Sequence, residues 1–254
     1  MTAALSEAQE LRYARHLILG EIGEDGQAKL LAARVLVVGA GGLGSPALLY
    51  LAAAGVGTLG IADDDVVDLS NLQRQIAHAT ARIGTPKVES AAAAIAALDP
   101  AIRVEAHRVR LTQANVRALV GAYDLVLDGS DNFATRYLLN DACAALRKPL
   151  VAASLLRFEG QLSTFKPWTG GPCYRCLHPA APRPGIIPRC EEAGILGAVA
   201  GVMGTLQAVE VVKELLALGD GLSGTLLLYD ALATRFTRIR VAKDPDCPTC
   251  GGTG

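Results

Sequence analysis

The stretch VLVVGAGGLGSP, residues 35–46, constrains the fold more than any other part of the chain. An unbroken apolar run ends in Gly39-x-Gly41-x-x-Gly44, and Ser45-Pro46 follows. Such a run suits a strand covered on both faces. Glycines at this spacing allow a tight turn, a close approach of phosphate to backbone, and close packing of helix on strand. Serine suits a helix cap and proline a first turn, so a helix is expected to open at Ser45-Pro46, with Ser45 as its cap. The turn accommodates a dinucleotide or ATP, and the two imply different enzymes.

A β–α rhythm continues from there, after a polar N-terminal helix. GTLGIAD predicts a second strand. A polar loop, DDDVVDLSNLQRQIAH, leads to Pro86, which opens the helix PKVESAAAAIAAL; Asp99-Pro100 stops it. IRVEAHRV, YDLVLDGSD and PLVAASLL read as further strands, with helices TQANVRALVG and NFATRYLLNDACAALRK between them. This alternation predicts an α/β fold with a Rossmann-like, doubly wound, mostly parallel sheet. Beyond residue 157 the strands FEGQLSTF, GTLLLYD and RFTRIRV flank a long helix within 195–218, so the sheet should become mixed in the C-terminal half. A Pro-rich loop at 179–189 is too long to be a mere link.

The 254 residues are 51% hydrophobic and 19% charged, which supports a sizeable core in one domain over 1–254, with halves at 1–157 and 158–254. With 24 basic against 25 acidic residues, the chain lacks the basic footprint of a nucleic-acid binder. MTAALSEAQELRYARHL carries no apolar core of a signal peptide. The apolar stretch 193–218 is closed by Glu210, Lys213 and Glu214 and reads as a buried helix, not a membrane span. Its Gly197-x-x-x-Gly201 lets another backbone approach closely. A cytoplasmic protein is expected, with no membrane and no nucleic acid among its partners.

The first candidate chemistry lies at predicted strand ends. Asp63 is placed to accept hydrogen bonds from ribose hydroxyls. Two phosphates can be held by backbone N–H groups alone, whereas attack at the α-phosphate of ATP needs positive charge where pyrophosphate leaves. Arg74 in SNLQRQ and Lys87 after Pro86 supply it, and Asp131 in DGSDN suits Mg²⁺. The alternative makes Arg74 and Lys87 solvated charges and Asp131 a helix cap.

The second lies in the cysteines. Cys173-x-x-Cys176 and Cys247-x-x-Cys250 are two knuckles that suit one Zn²⁺ held by four thiolates. Paired disulfides compete with that reading, and a reducing compartment disfavours them. A site filled by four thiolates leaves His178 no part in it. Cys143 reads as a small core residue. Cys190, after the Pro-rich loop, is read either as a reactive thiol lowered by a helix N-terminus or as structural.

Together these residues resemble the MoeB/ThiF adenylyltransferases of molybdopterin and thiamine biosynthesis, relatives of ubiquitin-activating enzymes. The resemblance rests on RYARH (12–16), GAGGLG (39–44), ADDDVVDLSNLQRQ (62–75), PKVES (86–90), LDGSDN (127–132), CYRC (173–176), GVMGTLQAVE (201–210) and CPTC (247–250). It implies ATP-dependent adenylylation of a small ubiquitin-fold sulfur-carrier protein ending in Gly-Gly, ahead of thiocarboxylate formation. Carried over, Gly39, Gly41 and Gly42 would meet the nucleotide and Asp63 the ribose. Asn71, Arg74 and Lys87 would surround the triphosphate, and Asp131 would organise Mg²⁺. Arg15 would be lent to a neighbouring subunit, so the resemblance implies a homodimer. Residues 158–254 would bind the carrier and the zinc ion. Two features depart from the family. His16 stands where glutamine is common, and no sulfurtransferase domain follows Cys250, so a separate sulfur donor is expected. Cys190 matches a family cysteine discussed as a transient attachment point for the carrier.

Two rivals remain at this stage. An NAD-dependent Rossmann oxidoreductase accounts for the turn and Asp63, but not for Arg74, Lys87 or the knuckles. An inactive scaffold for a ubiquitin-like partner would have no use for so many phosphate-facing residues.

Overall fold

The computed structural model describes residues 5–183 and 193–252, so Cys190 and the end of the Pro-rich loop lie outside the described residues. Two short helices, α1 (Glu7–Leu17) and α2 (Gly23–Ala32), stand where one polar helix was expected. Ser6 caps α1 in a reciprocal box with Gln9. Gly23, at φ 56°, turns the chain into α2.

From β1 (Arg34–Val38) the expected alternation follows: α3 (Gly44–Ala53), β2 (Thr58–Ala62), α4 (Lys87–Leu98), β3 (Arg103–His107), α5 (Val116–Gly121), β4 (Leu125–Asp128), α6 (Phe133–Leu146) and β5 (Leu150–Leu156). Then come β6 (Glu159–Phe165), a one-turn α7 (Tyr174–Leu177), the long α8 (Gly197–Leu216), β7 (Thr225–Asp230) and β8 (Arg235–Arg240). Among the described residues these form one eight-stranded sheet, in the order β3-β2-β1-β4-β5-β6-β7-β8.

Pairing is parallel from β3 to β5 and antiparallel from β5 to β8. The change has a local cause. Only Arg157 and Phe158 separate β5 from β6, and a link that short reverses the chain where a parallel partner needs a long crossover. Arg157 takes the left-handed conformation this turn requires, at φ 56°.

The pleat of β1 explains its unbroken hydrophobicity. Val35 and Val37 join a core with Leu48, Leu51, Ile95 and Met203. Leu36 and Val38 join the opposite core with Leu139, Cys143 and Tyr174. Cys143 is thus a core residue, as expected, and burial pushes its thiol pKa up.

Helix α8 fills the place of the suspected span, and no helix of the described chain is long and apolar enough to cross a membrane. Gly197 does permit a close approach, since a Cβ there would meet the Gln73 carbonyl at 2.2 Å, but Gly201 faces open space. The second contact is made at Gly204, where a Cβ would meet the Leu43 carbonyl at 2.3 Å. The expected pair is therefore corrected to Gly197 and Gly204.

The β1–α3 turn differs from expectation in one detail. The helix begins at Gly44 with Leu43 in the cap position and no side-chain cap. The Ser45 hydroxyl instead reaches back to the Ala40 carbonyl at 3.3 Å. Gly44 itself is indispensable, because a Cβ there would lie 1.8 Å from the Gly39 carbonyl. The obstacle is backbone, which cannot swing aside as a side chain can, so Gly44→Ala should cost about 3 kcal/mol or more in urea unfolding.

Candidate active site

The strand order reverses between β1 and β4, and ligands in open α/β sheets bind at such a switch point. A cavity of about 490 Å³ opens there. Gly39, Gly41 and Gly42 line it from the β1 turn, Asp63, Asp64 and Asp65 from the end of β2, and Ser130 and Asp131 from the end of β4. Arg74 and Lys87 reach the same cavity from the intervening loop and the start of α4. Arg74 and Lys87, from separate segments, therefore share one cavity with the glycine turn.

Local bonds explain each position. The two turns touch backbone to backbone, and a Cβ on Gly39, which has φ 88°, would lie 2.9 Å from the Gly129 carbonyl. Asp63 grips the glycine turn, since its Oδ2 accepts the Ala40 N–H at 2.8 Å. Its Oδ1 accepts the Asp65 N–H at 2.9 Å. Burial raises the Asp63 pKa, while these two N–H groups and the nearby Lys87 oppose the rise.

Lys87 is only 6% exposed, and its ammonium meets Asp65 Oδ2 at 2.8 Å. It is not the solvated charge of the alternative reading. Arg74 donates to the Ser70 carbonyl at 3.1 Å, in the short 3₁₀ turn Leu69–Asn71. Its stem passes the open side of Gly42. Asp131 does not cap α6, because Asn132 does so by accepting the Thr135 N–H at 2.9 Å. The Asp131 carboxylate is exposed at the cavity wall.

Two sequence candidates stand apart from this cluster. Asn71 is half-buried in the 3₁₀ turn, with Nδ2 3.4 Å from Ser70 Oγ, and does not line the cavity among the described residues. Arg15 is exposed on the last turn of α1 and does not line it either.

Other residues of the site escaped the sequence reading. Gln75 is 5% exposed, lines the cavity, and leaves its buried Oε1 without a hydrogen-bond partner. Arg136 donates to the Ser130 carbonyl at 2.9 Å and so braces the loop that carries Asp131. Tyr174 and His178 extend the cavity wall toward the first cysteine knuckle. The QRQ of the polar loop was the one available hint, pointing to Gln75 as much as to Arg74.

The four knuckle cysteines converge. Their sulfur atoms all lie within 4.8 Å of one another. Cys173 and Cys247 are 3.5 Å apart and Cys176 and Cys250 are 3.4 Å apart, and none of the four is in a disulfide. The disulfide reading is thereby corrected. Four sulfurs about 2.3 Å from one ion at tetrahedral angles would sit roughly 3.8 Å apart, so the set fits a closed metal site. N–H groups of Asn140 and Asp244 point at Cys173 and Cys176 at 3.7 and 3.4 Å, as thiolates would require. His178 is outside this cluster.

Burial pushes the imidazoles of His78 and His178 below their usual range; Lys87 adds to the effect at His78 and Arg136 at His178. The unfolded chain takes up a proton at each near pH 6.5 and the folded chain only below that, so stability falls as pH drops through about 6.5. Asp63, whose pKa is raised on folding, acts with the opposite sign nearer the carboxylate range. Urea titrations at pH 7.5 and 5.5 should therefore show a smaller loss of stability in His78→Gln than in the wild type.

Comparison with known proteins follows the same lines. The ThiF family model matches residues 13–249. The chain is 51% identical over 254 residues to the SAMP-activating enzyme E1 of Haloferax volcanii, spanning all of this chain and 93% of that protein. It is 50% identical over 244 residues to the sulfur carrier protein adenylyltransferase of Thermus thermophilus, spanning 94% of this chain and 90% of that one. It is also 50% identical over 251 residues to the probable adenylyltransferase/sulfurtransferase MoeZ of Mycobacterium tuberculosis, covering 97% of this chain but 64% of that protein. Among solved structures, E. coli MccB with AMPCPP and SeMet MccA superposes with a TM-score of 0.83 at 20% identity, over 98% of this chain and 75% of that one. That last likeness shows the fold.

Proposed function

The chain belongs to the ThiF family, and from that premise we propose that it adenylylates the C-terminal glycine of a small ubiquitin-fold sulfur-carrier protein. The carrier's terminal carboxylate attacks the α-phosphate of ATP. An acyl-adenylate forms, pyrophosphate leaves, and a separate sulfur donor later converts the adenylate to a thiocarboxylate. One observation carries this reading: Arg74 and Lys87, from separate segments, line the cavity that the glycine turn, Asp63 and Asp131 also line. The names of the relatives at about half identity, a sulfur carrier protein adenylyltransferase among them, support it.

The assigned roles follow from charge and place. Backbone at Gly39, Gly41 and Gly42 takes the phosphates, and Asp63 takes the ribose. Arg74 and Lys87 stabilise negative charge as the pyrophosphate departs. Asp131 would hold Mg²⁺, which supplies further charge neutralisation at the phosphate oxygens. The attacking carboxylate is already ionised, so the protein positions groups and needs no general base. An NAD-dependent oxidoreductase gives Arg74 and Lys87 nothing to do.

The partner assignments rest on surface features. Arg15 stands on α1 beside exposed Leu11, at 82%, and Ile18, at 72%, which suits a homodimer in which Arg15 completes a neighbour's nucleotide site. Phe158, Phe236 and Ile239 are exposed on the antiparallel half, the side assigned to the carrier. The four thiolates suit Zn²⁺ with no open position, a structural role without catalysis.

The deciding experiment is pyrophosphate release from ATP on addition of Gly-Gly-ended carrier proteins. Release dependent on the carrier is expected, and silence with every carrier would sink the proposal. Arg74→Ala and Lys87→Ala should each lower kcat/KM by roughly 10²–10³-fold; near-normal rates in both would remove them from the mechanism. Elemental analysis should find one zinc per chain, and its removal by a chelator should lower Tm.

A further inference from the structure

We propose that His78 is a positioning residue for the nucleotide site: its ring ties the glycine turn to the helix that carries Lys87. The imidazole spans the two elements. Nε2 lies 2.8 Å from the Ala40 carbonyl oxygen, and Nδ1 lies 3.0 Å from Ser90 Oγ. A carbonyl only accepts, so Nε2 carries the proton, Nδ1 is the acceptor, and the Ser90 hydroxyl donates to it. Ala40 and Ser90 are fully buried and His78 is 8% exposed, so water cannot replace these bonds.

The latch closes a loop of contacts. Ala40 lies inside the glycine turn, and its N–H is already donated to Asp63. Ser90 is on α4, one turn beyond Lys87, whose N–H donates to the Asp65 carbonyl at 2.9 Å. Asp63 therefore holds one polar group of Ala40 and His78 the other, the latter shared with the Ser45 hydroxyl. The phosphate-facing backbone and the Lys87 helix come from distant parts of the chain, and a rigid ring with two opposed nitrogens sets the gap between them. A misplacement of about 1 Å at such a site costs on the order of 10²-fold in rate. Burial disfavours the charged form of the ring, in agreement with this bonding.

The inference rests on the reading of the cavity as an ATP site, and its test separates the two. MgATP affinity is measured by calorimetry without any carrier, and kcat and KM by pyrophosphate release with one. His78→Phe keeps the ring and loses both bonds. Provided circular dichroism shows it folded, it should bind MgATP at least tenfold more weakly and lose about 10²-fold in kcat/KM. His78→Gln, whose amide N–H can reach the Ala40 carbonyl, should recover most of the MgATP affinity. A folded His78→Phe with affinity and kcat within twofold of the wild type overturns the proposal, as does a Gln variant no better than Phe. Should His78→Phe not fold, Ser90→Ala decides: a loss of threefold or more in MgATP affinity is expected, and unchanged affinity overturns it. A wild type that binds MgATP yet releases no pyrophosphate with any carrier refutes the proposed function and leaves the latch test readable.

Discussion

Everything at the site depends on one backbone-to-backbone contact. The turn after β1 lies against the turn after β4: a Cβ on Gly39 would lie 2.9 Å from the Gly129 carbonyl, and one on Gly129 would lie 3.1 Å from the Gly44 nitrogen. A third glycine, Gly44, lets the following helix start directly over the Gly39 carbonyl. With these contacts the ends of two parallel strands open into one shared crevice. A Cβ on Gly39 would press directly on the backbone of the loop that leads to Asp131.

Around that seam the chain places charge with care. Asp63 spends both carboxylate oxygens on backbone N–H groups, and Lys87 is buried only because Asp65 meets its ammonium. On the opposite face, Arg136 braces the Ser130 carbonyl beside Asp131. The cysteine cluster lies farther along that side and is joined to α6 through Asn140, which bonds both Cys173 and the Tyr174 N–H. The cysteine knuckle thus supports the wall of the cavity without entering it.

Much of this was legible in the chain itself. The apolar run of β1 announced a strand buried on both faces, and Val35 to Val38 alternate between the two cores. Two Cys-x-x-Cys pairs announced a shared cluster, and their four sulfurs converge. Arg74, Lys87 and Asp131 stood out because each follows a predicted strand end or opens a helix. Misreadings came where two local signals compete. Ser45 looked like a cap but turned back to Ala40. Gly201 had the spacing for a close contact that Gly204 makes.

The sequence by itself determined the β–α units, the glycine turn and the four-cysteine cluster. Each of these is written in short-range patterns: side-chain period, turn glycines, paired ligands. Only the tertiary structure decided which cations share a cavity, that Asn71 and Arg15 stand outside it, and that Gln75 lines it while His78 and Arg136 brace its walls. Those outcomes turn on strand order and on contacts between residues far apart in the chain. Periodicity carries no record of which distant neighbour a buried polar side chain will find.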